Sequence, residues 1–201
     1  MSSALDFYFD FSSPYGYFAA MKIDDLAAKY GRQVAWHPIL LGAIFKTTGA
    51  VPLVEIPLKG NYVRHDLVRT ARLHQIPFKL PENFPISTLH TARAMLWINN
   101  NLGKTKAENF AKAAYQAYFV EGINIGEPEQ IAQIATQLGM DGVTMVNTSS
   151  SEEIKNQLKT EIASAQNKGV FGSPYVIVDG EPFWGFDRFD QIELFLKNGQ
   201  I

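Results

Sequence analysis

Residues 6–20 read Asp-Phe-Tyr-Phe-Asp-Phe-Ser-Ser-Pro-Tyr-Gly-Tyr-Phe-Ala-Ala, and the change of pattern inside this stretch decides the fold. Residues 5–11 form a short aromatic run of strand type. The run stops at Ser12, Ser13 and Pro14. From Pro14 to about Tyr30 the pattern is helical, with Phe18, Met21, Ile23 and Leu26 on the apolar side and a helix end at Lys29, Tyr30 and Gly31. Pro14 suits the first helical position, because the N–H it lacks would have no intrahelical partner there. Ser13 then stands at the N-cap, its hydroxyl beside the free N–H groups of the first turn. A strand delivering a hydroxyl to the positive end of a helix is a ready site for an anion. Ser-Pro opening a helix is also ordinary capping, and the rest of the chain has to decide between the two.

The chain has 201 residues, 46% of them hydrophobic, enough for one sizeable core or two small ones. Its formal net charge is −2 with no block of like charges, so neither nucleic acid nor an anionic membrane surface is an expected partner. The first residues, Met-Ser-Ser-Ala-Leu-Asp, place no basic residue before an apolar stretch that itself carries Asp6 and Asp10. That pattern is neither a signal peptide nor a membrane span, and a cytoplasmic protein is expected. Cysteine is absent, which excludes disulfides, thiolate–metal sites and a redox dithiol.

Residues 33–37 read as a second strand closed by Pro38, and strand–helix–strand makes a βαβ unit with parallel strands. Residues 38–60 hold three prolines and three glycines around a short helix near 41–47, an irregular stretch of the length that carries function or marks a boundary. From Asn61 to Gly169 the periodicity is helical. Val63, Leu67, Ala71 and His74 share one face before Ile76-Pro77. Leu89, Ala92 and Leu96 repeat the spacing with Thr88 or Ser87 as cap, and residues 107–120 follow. Glu127-Pro128 opens a further helix, and residues 149–153 resemble a capping box opening the last of the series. Strand patterns return at 175–178 and 181–184, flanking the hairpin turn Asp179-Gly180. A final helix starts near Phe189, with Asp187 as its expected N-cap.

A strand–turn–helix with a reactive position at the helix start, a helical insertion, and a proline before a hairpin resembles the thioredoxin fold. Ser13-Pro14-Tyr15-Gly16 lies where thioredoxin-like oxidoreductases carry Cys-x-x-Cys, and Gly172-Ser173-Pro174 where they carry a cis-proline loop. The resemblance narrows to the kappa-class glutathione transferases and the related 2-hydroxychromene-2-carboxylate isomerases. It is carried by Tyr8-Phe-Asp-Phe-Ser-Ser-Pro-Tyr15, Pro38-Ile-Leu-Leu41, Lys59-Gly-Asn-Tyr62, Asp66-Leu67, Ile76-Pro-Phe78, Gly169-Val-Phe-Gly-Ser-Pro174 and Trp184-Gly-Phe-Asp-Arg188, in the family's order along nearly the whole chain. It implies an α/β protein, with a thioredoxin-like domain from residues 1–42 and 151–201 and an inserted all-α domain over 43–150.

The resemblance also implies glutathione as cofactor or cosubstrate, a small-molecule substrate and a homodimer. By position, Ser13 resembles the residue whose hydroxyl meets the glutathione sulfur, and Lys59 the lysine that reaches the tripeptide's glycine end. Ser173, before Pro174, would pair its backbone with the cysteinyl backbone, and Phe186 and Asp187 lie where the family holds the γ-glutamyl group. Two positions depart from the pattern. Ala50 stands where kappa transferases often place Asn, and Phe186 where they place Ser. Each forgoes one side-chain hydrogen bond, about 0.5–1.5 kcal/mol net, and Phe186 keeps a backbone N–H to offer.

The chemistry is physically reasonable. A free thiol with a pKa near ~8.5 is only slightly ionised at neutral pH, and lowering it by about two units takes ~2.7 kcal/mol. A helix N-terminus contributes up to ~2 kcal/mol, and a hydrogen bond to a charged group about 1.5–3 kcal/mol. Ser13 at a helix cap can therefore activate a borrowed thiol without a neighbouring base. The resemblance implies an isomerase in which the thiolate adds to an unsaturated carbon, a bond rotates and glutathione leaves. The alternatives are a conjugating transferase and a redox-inactive binding protein on the same scaffold. A serine hydrolase would need a Gly-x-Ser-x-Gly elbow, which does not surround Ser13. His37, His65, His74 and His90 have no metal-ligand spacing.

Overall fold

The computed structural model describes residues 4–201. Strand β1 (Leu5–Phe9) runs parallel to β2 (Val34–Pro38), Leu5 opposite Val34 and Phe9 opposite Pro38, and the crossover between them holds helices α1 (Pro14–Ala20) and α2 (Ile23–Lys29). On its other edge β1 pairs antiparallel with β3 (Tyr175–Val178), which turns into β4 (Glu181–Trp184). The order is β2-β1-β3-β4, so both ends of the chain build one mixed sheet. Asp179 and Gly180 both have positive φ, 52° and 93°, the paired left-handed geometry that a two-residue hairpin requires.

Between β2 and β3 lie α3 (Leu41–Thr48), α4 (Lys59–Leu73), α5 (Leu89–Leu102), α6 (Lys104–Gln116), α7 (Pro128–Gln137), α8 (Gly142–Ser149) and α9 (Glu152–Asn167). A π-turn over Ala117–Glu121 extends α6, and α10 (Phe189–Asn198) follows the hairpin. Alternation along β1 sets the layers. Leu5, Phe7 and Phe9 face a large apolar cluster that reaches through Phe110, Tyr115 and Phe119 to Met145 of α8. Tyr8 faces the opposite cluster with Ile39, Ile44, Ala165 and Val170. Around the start of α1 the first cluster is aromatic throughout. Phe11 and Tyr17 lie 5.2 and 5.8 Å, ring to ring, from Tyr115, and each such pair adds about 0.5–1.5 kcal/mol beyond area burial.

Four local expectations change. The helix expected over 14–30 is two, broken at Met21 and Lys22. Phe18 and Ile23 are both fully buried, yet five residues apart on a straight helix they would point about 140° away from each other; the break lets both face the core. Helix α4 ends at Leu73, with His74 outside it as C-cap. Helix α8 is additional to the helices named within the helical stretch 61–169, because Gly-Val-Thr-Met-Val-Asn-Thr-Ser is poor in helix formers; Asp141 caps it by accepting the Thr144 N–H at 3.0 Å. Asp187 is no N-cap, since a 3-10 turn over Phe186–Arg188 precedes α10 and its carboxylate makes no capping bond.

Candidate active site

Ser13 occupies the corner where β1 hands over to α1. Its backbone is extended (φ −90°, ψ 115°), its Oγ accepts the Gly16 N–H at 3.0 Å, and Pro14 opens the helix. The same hydroxyl donates to the Ser173 carbonyl at 2.8 Å. The Ser173-Pro174 peptide is cis, as is Phe84-Pro85. Ser13 is buried, 6% exposed, so its hydroxyl sits where water competes little for it.

Behind Ser13 the packing is close. A Cβ on Gly16 would lie 2.7 Å from Ser173 Oγ and 2.8 Å from Tyr115 Oη. The place that a second cysteine would take in Cys-x-x-Cys therefore has room for hydrogen only. On the other side of the cis-proline loop a Cβ on Gly172 would lie 2.2 Å from Trp184 Nε1, so glycine there lets the Trp184 indole lie against the loop. Trp184 is half exposed and meets Phe171 edge-on, ring centres 4.8 Å apart.

Asp10, three residues before Ser13, carries more of the site than the sequence suggested. It is 5% exposed, and its carboxylate accepts the Ser12 N–H at 2.8 Å, the Leu41 N–H at 2.6 Å and the Thr88 hydroxyl at 2.8 Å. Its main-chain N–H donates to Ser173 Oγ at 3.0 Å, and its carbonyl accepts from the Tyr115 hydroxyl at 2.9 Å. Burial pushes the Asp10 carboxyl above its ordinary value, and the Ser12, Leu41 and Thr88 donors pull it back. Thr88, expected as a side-chain cap, heads α5 without a capping bond because its hydroxyl is spent on Asp10. The available signal was a carboxylate inside an aromatic run, which needs several donors once buried.

A cleft of about 510 Å³ opens in front of Ser13 and Ser173. Asp10 and Trp184 line it, and its wall is drawn from residues 41–54, from Val63 and Leu67 of α4, and from residues 84–86. Of the residues singled out in the sequence, Ser13 and Ser173 meet at this cleft. Pro174 is buried directly behind Ser173. Lys59 is exposed at the first position of α4, outside the lining. Phe186 is 4% exposed, its ring packed among Phe18, His74 and Phe189, so only its backbone is left for a ligand. Asp187 is exposed and pairs with Arg188 at 3.1 Å; its charge still reaches Tyr15, whose phenol burial and the Asp66 carboxylate hold well above its ordinary value. Tyr15 donates to that carboxylate at 2.6 Å.

Residues 4–197 match the family model of the DSBA-like thioredoxin domain. The 2-hydroxychromene-2-carboxylate isomerase of Sphingobium xenophagum is 30% identical over 198 residues, covering 98% of this chain and 99% of that protein. The glutathione S-transferase kappa 2 of Caenorhabditis elegans is 28% identical, over 94% of this chain and 90% of its own. A solved structure of 2-hydroxychromene-2-carboxylate isomerase superposes with a TM-score of 0.86 at 26% identity, covering 96% of this chain and 94% of the other. The fold is thioredoxin-like, as the sequence implied. Among the described residues no helix is long and apolar enough to cross a membrane.

Proposed function

The chain belongs to the DSBA-like thioredoxin domain family and, within it, to the family of 2-hydroxychromene-2-carboxylate isomerases and kappa-class glutathione transferases, and from that premise we propose that it is a glutathione-dependent isomerase of the 2-hydroxychromene-2-carboxylate type. One observation carries the reading: a buried serine hydroxyl caps α1, lies 2.8 Å from the carbonyl before a cis-proline, and faces a cleft with no thiol of its own. When bound, glutathione supplies a thiolate that adds to an unsaturated carbon and leaves again after a bond has rotated.

The chain's residues then do the following. Ser13 turns its proton from the Ser173 carbonyl to the sulfur, and the Gly16 N–H holds the oxygen in place. The Ser173 carbonyl, released, accepts a donor from the cysteinyl backbone. Lys59 and Asp187 take the charged ends of the tripeptide, and Phe186 contributes its N–H beside cis-Pro174. Hydrogen at position 16 lets Ser13 and Ser173 lie side by side, and both line the cleft of about 510 Å³. In this reading residues 1–42 and 151–201 supply the sulfur site, and residues 43–150 supply much of the substrate wall. A cytoplasmic homodimer completes it, which light scattering at working concentrations tests.

The deciding experiment is turnover of 2-hydroxychromene-2-carboxylate with and without glutathione, beside a generic chloronitrobenzene electrophile, after calorimetry with glutathione alone. Glutathione-dependent isomerisation is the expected result. Conjugation without isomerisation would make the protein a transferase, and absence of glutathione binding would overturn the glutathione reading altogether.

A further inference from the structure

We propose that Ser12, the residue before the helix cap, is a second hydroxyl of the reaction, donating to the substrate oxygen on which negative charge collects when a thiolate adds. This rests on the glutathione reading above and assigns a further catalytic residue to that same site. The chemistry creates the need. Addition of a thiolate to the far carbon of a conjugated carbonyl forms the C–S bond and shifts the C=C pair, leaving the negative charge on the carbonyl oxygen. Ring opening of a chromene hemiketal, which passes the hemiketal proton to the phenol oxygen, gives such a carbonyl. The former double bond is then single and rotates, and loss of the thiolate returns the pair with no net proton gained or lost. A charged oxygen in a largely apolar cleft is costly without a donor, and a donor already aimed at it gains strength as the charge grows.

Among the described residues, the oxygen-bearing side chains that line the cleft are Asp10, Ser12, Ser13, Tyr15, Thr48 and Ser173. Asp10 is an acceptor already held by three donors. Tyr15 spends its proton on Asp66, and Thr48 donates to the Ile44 carbonyl at 3.3 Å. Ser13 serves the sulfur in the glutathione reading. Ser173 Oγ accepts the Asp10 N–H and lies on the Gly16 side, behind Ser13, while the Trp184 N–H lies against Gly172. Ser12 stands differently. Its main-chain N–H is fixed on the Asp10 carboxylate at 2.8 Å, and its Oγ accepts the Ile86 N–H at 3.2 Å, so the oxygen is held while the proton can turn. The neighbour that this proton meets is the Tyr118 phenol, which gives its own proton to the Asn83 carbonyl at 2.9 Å. A neutral phenol oxygen is a weaker acceptor than a charged one, so the proton moves to the substrate when charge appears there. Ser12 and Ser13 are consecutive and line the same cleft. In the substrate, only two atoms separate the sulfur-bearing carbon from the carbonyl oxygen, so one serine serves each end.

The test compares Ser12→Ala and Ser12→Thr with the unmodified protein. Glutathione calorimetry and thermal melting come first, then kcat and KM for 2-hydroxychromene-2-carboxylate and for addition of glutathione to benzylideneacetone, an open-chain enone. In each reaction that the unmodified protein catalyses, Ser12→Ala is expected to lower kcat by about a hundredfold, with KM and the glutathione isotherm moving by less than about twofold. Ser12→Thr, which keeps a hydroxyl, is expected to retain most of the kcat. Benzylacetone, a saturated ketone that cannot accept a thiolate, supplies a readout without turnover. Its carbonyl stretch, measured by infrared difference in protein saturated with glutathione, is expected to lie lower in the unmodified protein than in Ser12→Ala, because a hydrogen bond weakens C=O. An unchanged kcat or an unchanged stretch in Ser12→Ala would overturn the proposal, as would an equal fall of kcat in Ser12→Thr. A fall matched by lost glutathione affinity or a lowered melting point would also overturn it, and would make Ser12 a support for Ile86 alone. In each of these cases glutathione-dependent turnover by the unmodified protein leaves the parent reading standing. Binding of glutathione by the unmodified protein with turnover of neither compound would overturn this proposal, and loss of the glutathione isotherm itself would remove the parent reading and this one with it.

Discussion

The Ser13 hydroxyl donates to the Ser173 carbonyl at 2.8 Å across 160 positions of sequence, while its oxygen accepts the Gly16 N–H at 3.0 Å. One side chain therefore caps α1 and ties its start to the cis-proline loop. A hydroxyl has a single proton, so the carbonyl and a neighbouring sulfur anion are alternative acceptors for it. Under the proposed function, binding that satisfies the carbonyl by other means would free the proton for the glutathione sulfur.

Replacing Ser13 by Ala removes both functions. The cap is worth about 1 kcal/mol, and under the proposed function the bound glutathione thiol should gain about one to two pKa units, the worth of one charge-assisted bond. Thiolate absorbance of the complex against pH reads the second effect, and thermal melting reads the first. A stability loss with the thiol unmoved would reduce Ser13 to a cap.

Gly16→Ala is expected to destabilise the fold by about 1–3 kcal/mol, as small-to-large changes in tight packing do. The added methyl would press on Ser173 Oγ and Tyr115 Oη. Urea unfolding measures it. A neutral result would show that the cis-proline loop yields freely at this point.

Thr88→Val deletes one donor to Asp10 and keeps the shape. Because burial holds the Asp10 carboxyl above its ordinary value of 3.8, its contribution to stability is full below that value and falls as pH rises through the folded one. Losing the Thr88 hydroxyl raises the folded value further, so the variant's deficit grows with pH. It should reach about 1.5–3 kcal/mol near neutrality and shrink towards about pH 4. Denaturation curves at the two pH values give the difference, and equal deficits would mean that the hydroxyl does not sense the charge.

Asp187→Ala should leave stability within about 0.5 kcal/mol, since Asp187 caps nothing and its ion pair with Arg188 is exposed. Under the proposed function, glutathione affinity should nonetheless fall by about three- to tenfold, as for one lost hydrogen bond. Lys59→Ala should behave alike. Calorimetry showing unchanged affinity in both would place the tripeptide elsewhere.

Much of this was legible because the signals were local. Pro14 after Ser13, Asp179-Gly180 between two β-runs, and Glu127-Pro128 before a 3.6-residue period each fix backbone within a few residues of themselves. Where local reading failed, a distant partner had claimed the group. Thr88 stands where a cap belongs, but Asp10, 78 positions away, holds its hydroxyl. Phe186 likewise has its ring held in the core by Phe18 and His74, contacts that no local pattern announces, while its backbone stays as the sequence leaves it. The break between α1 and α2 follows from two residues that must face the same core, a demand that periodicity along one helix does not contain.

By itself, the sequence determined the strands and their turns, the serine at the helix start and the absence of any thiol, because backbone preference, capping and composition act at short range. Only the tertiary structure decided how Asp10 is used and what the cleft is made of. A buried carboxylate must collect its donors from wherever the fold brings them, here Ser12, Leu41 and Thr88. A cleft is the space left between packed elements, so its charge and its apolar walls belong to the packing and to no single stretch of chain.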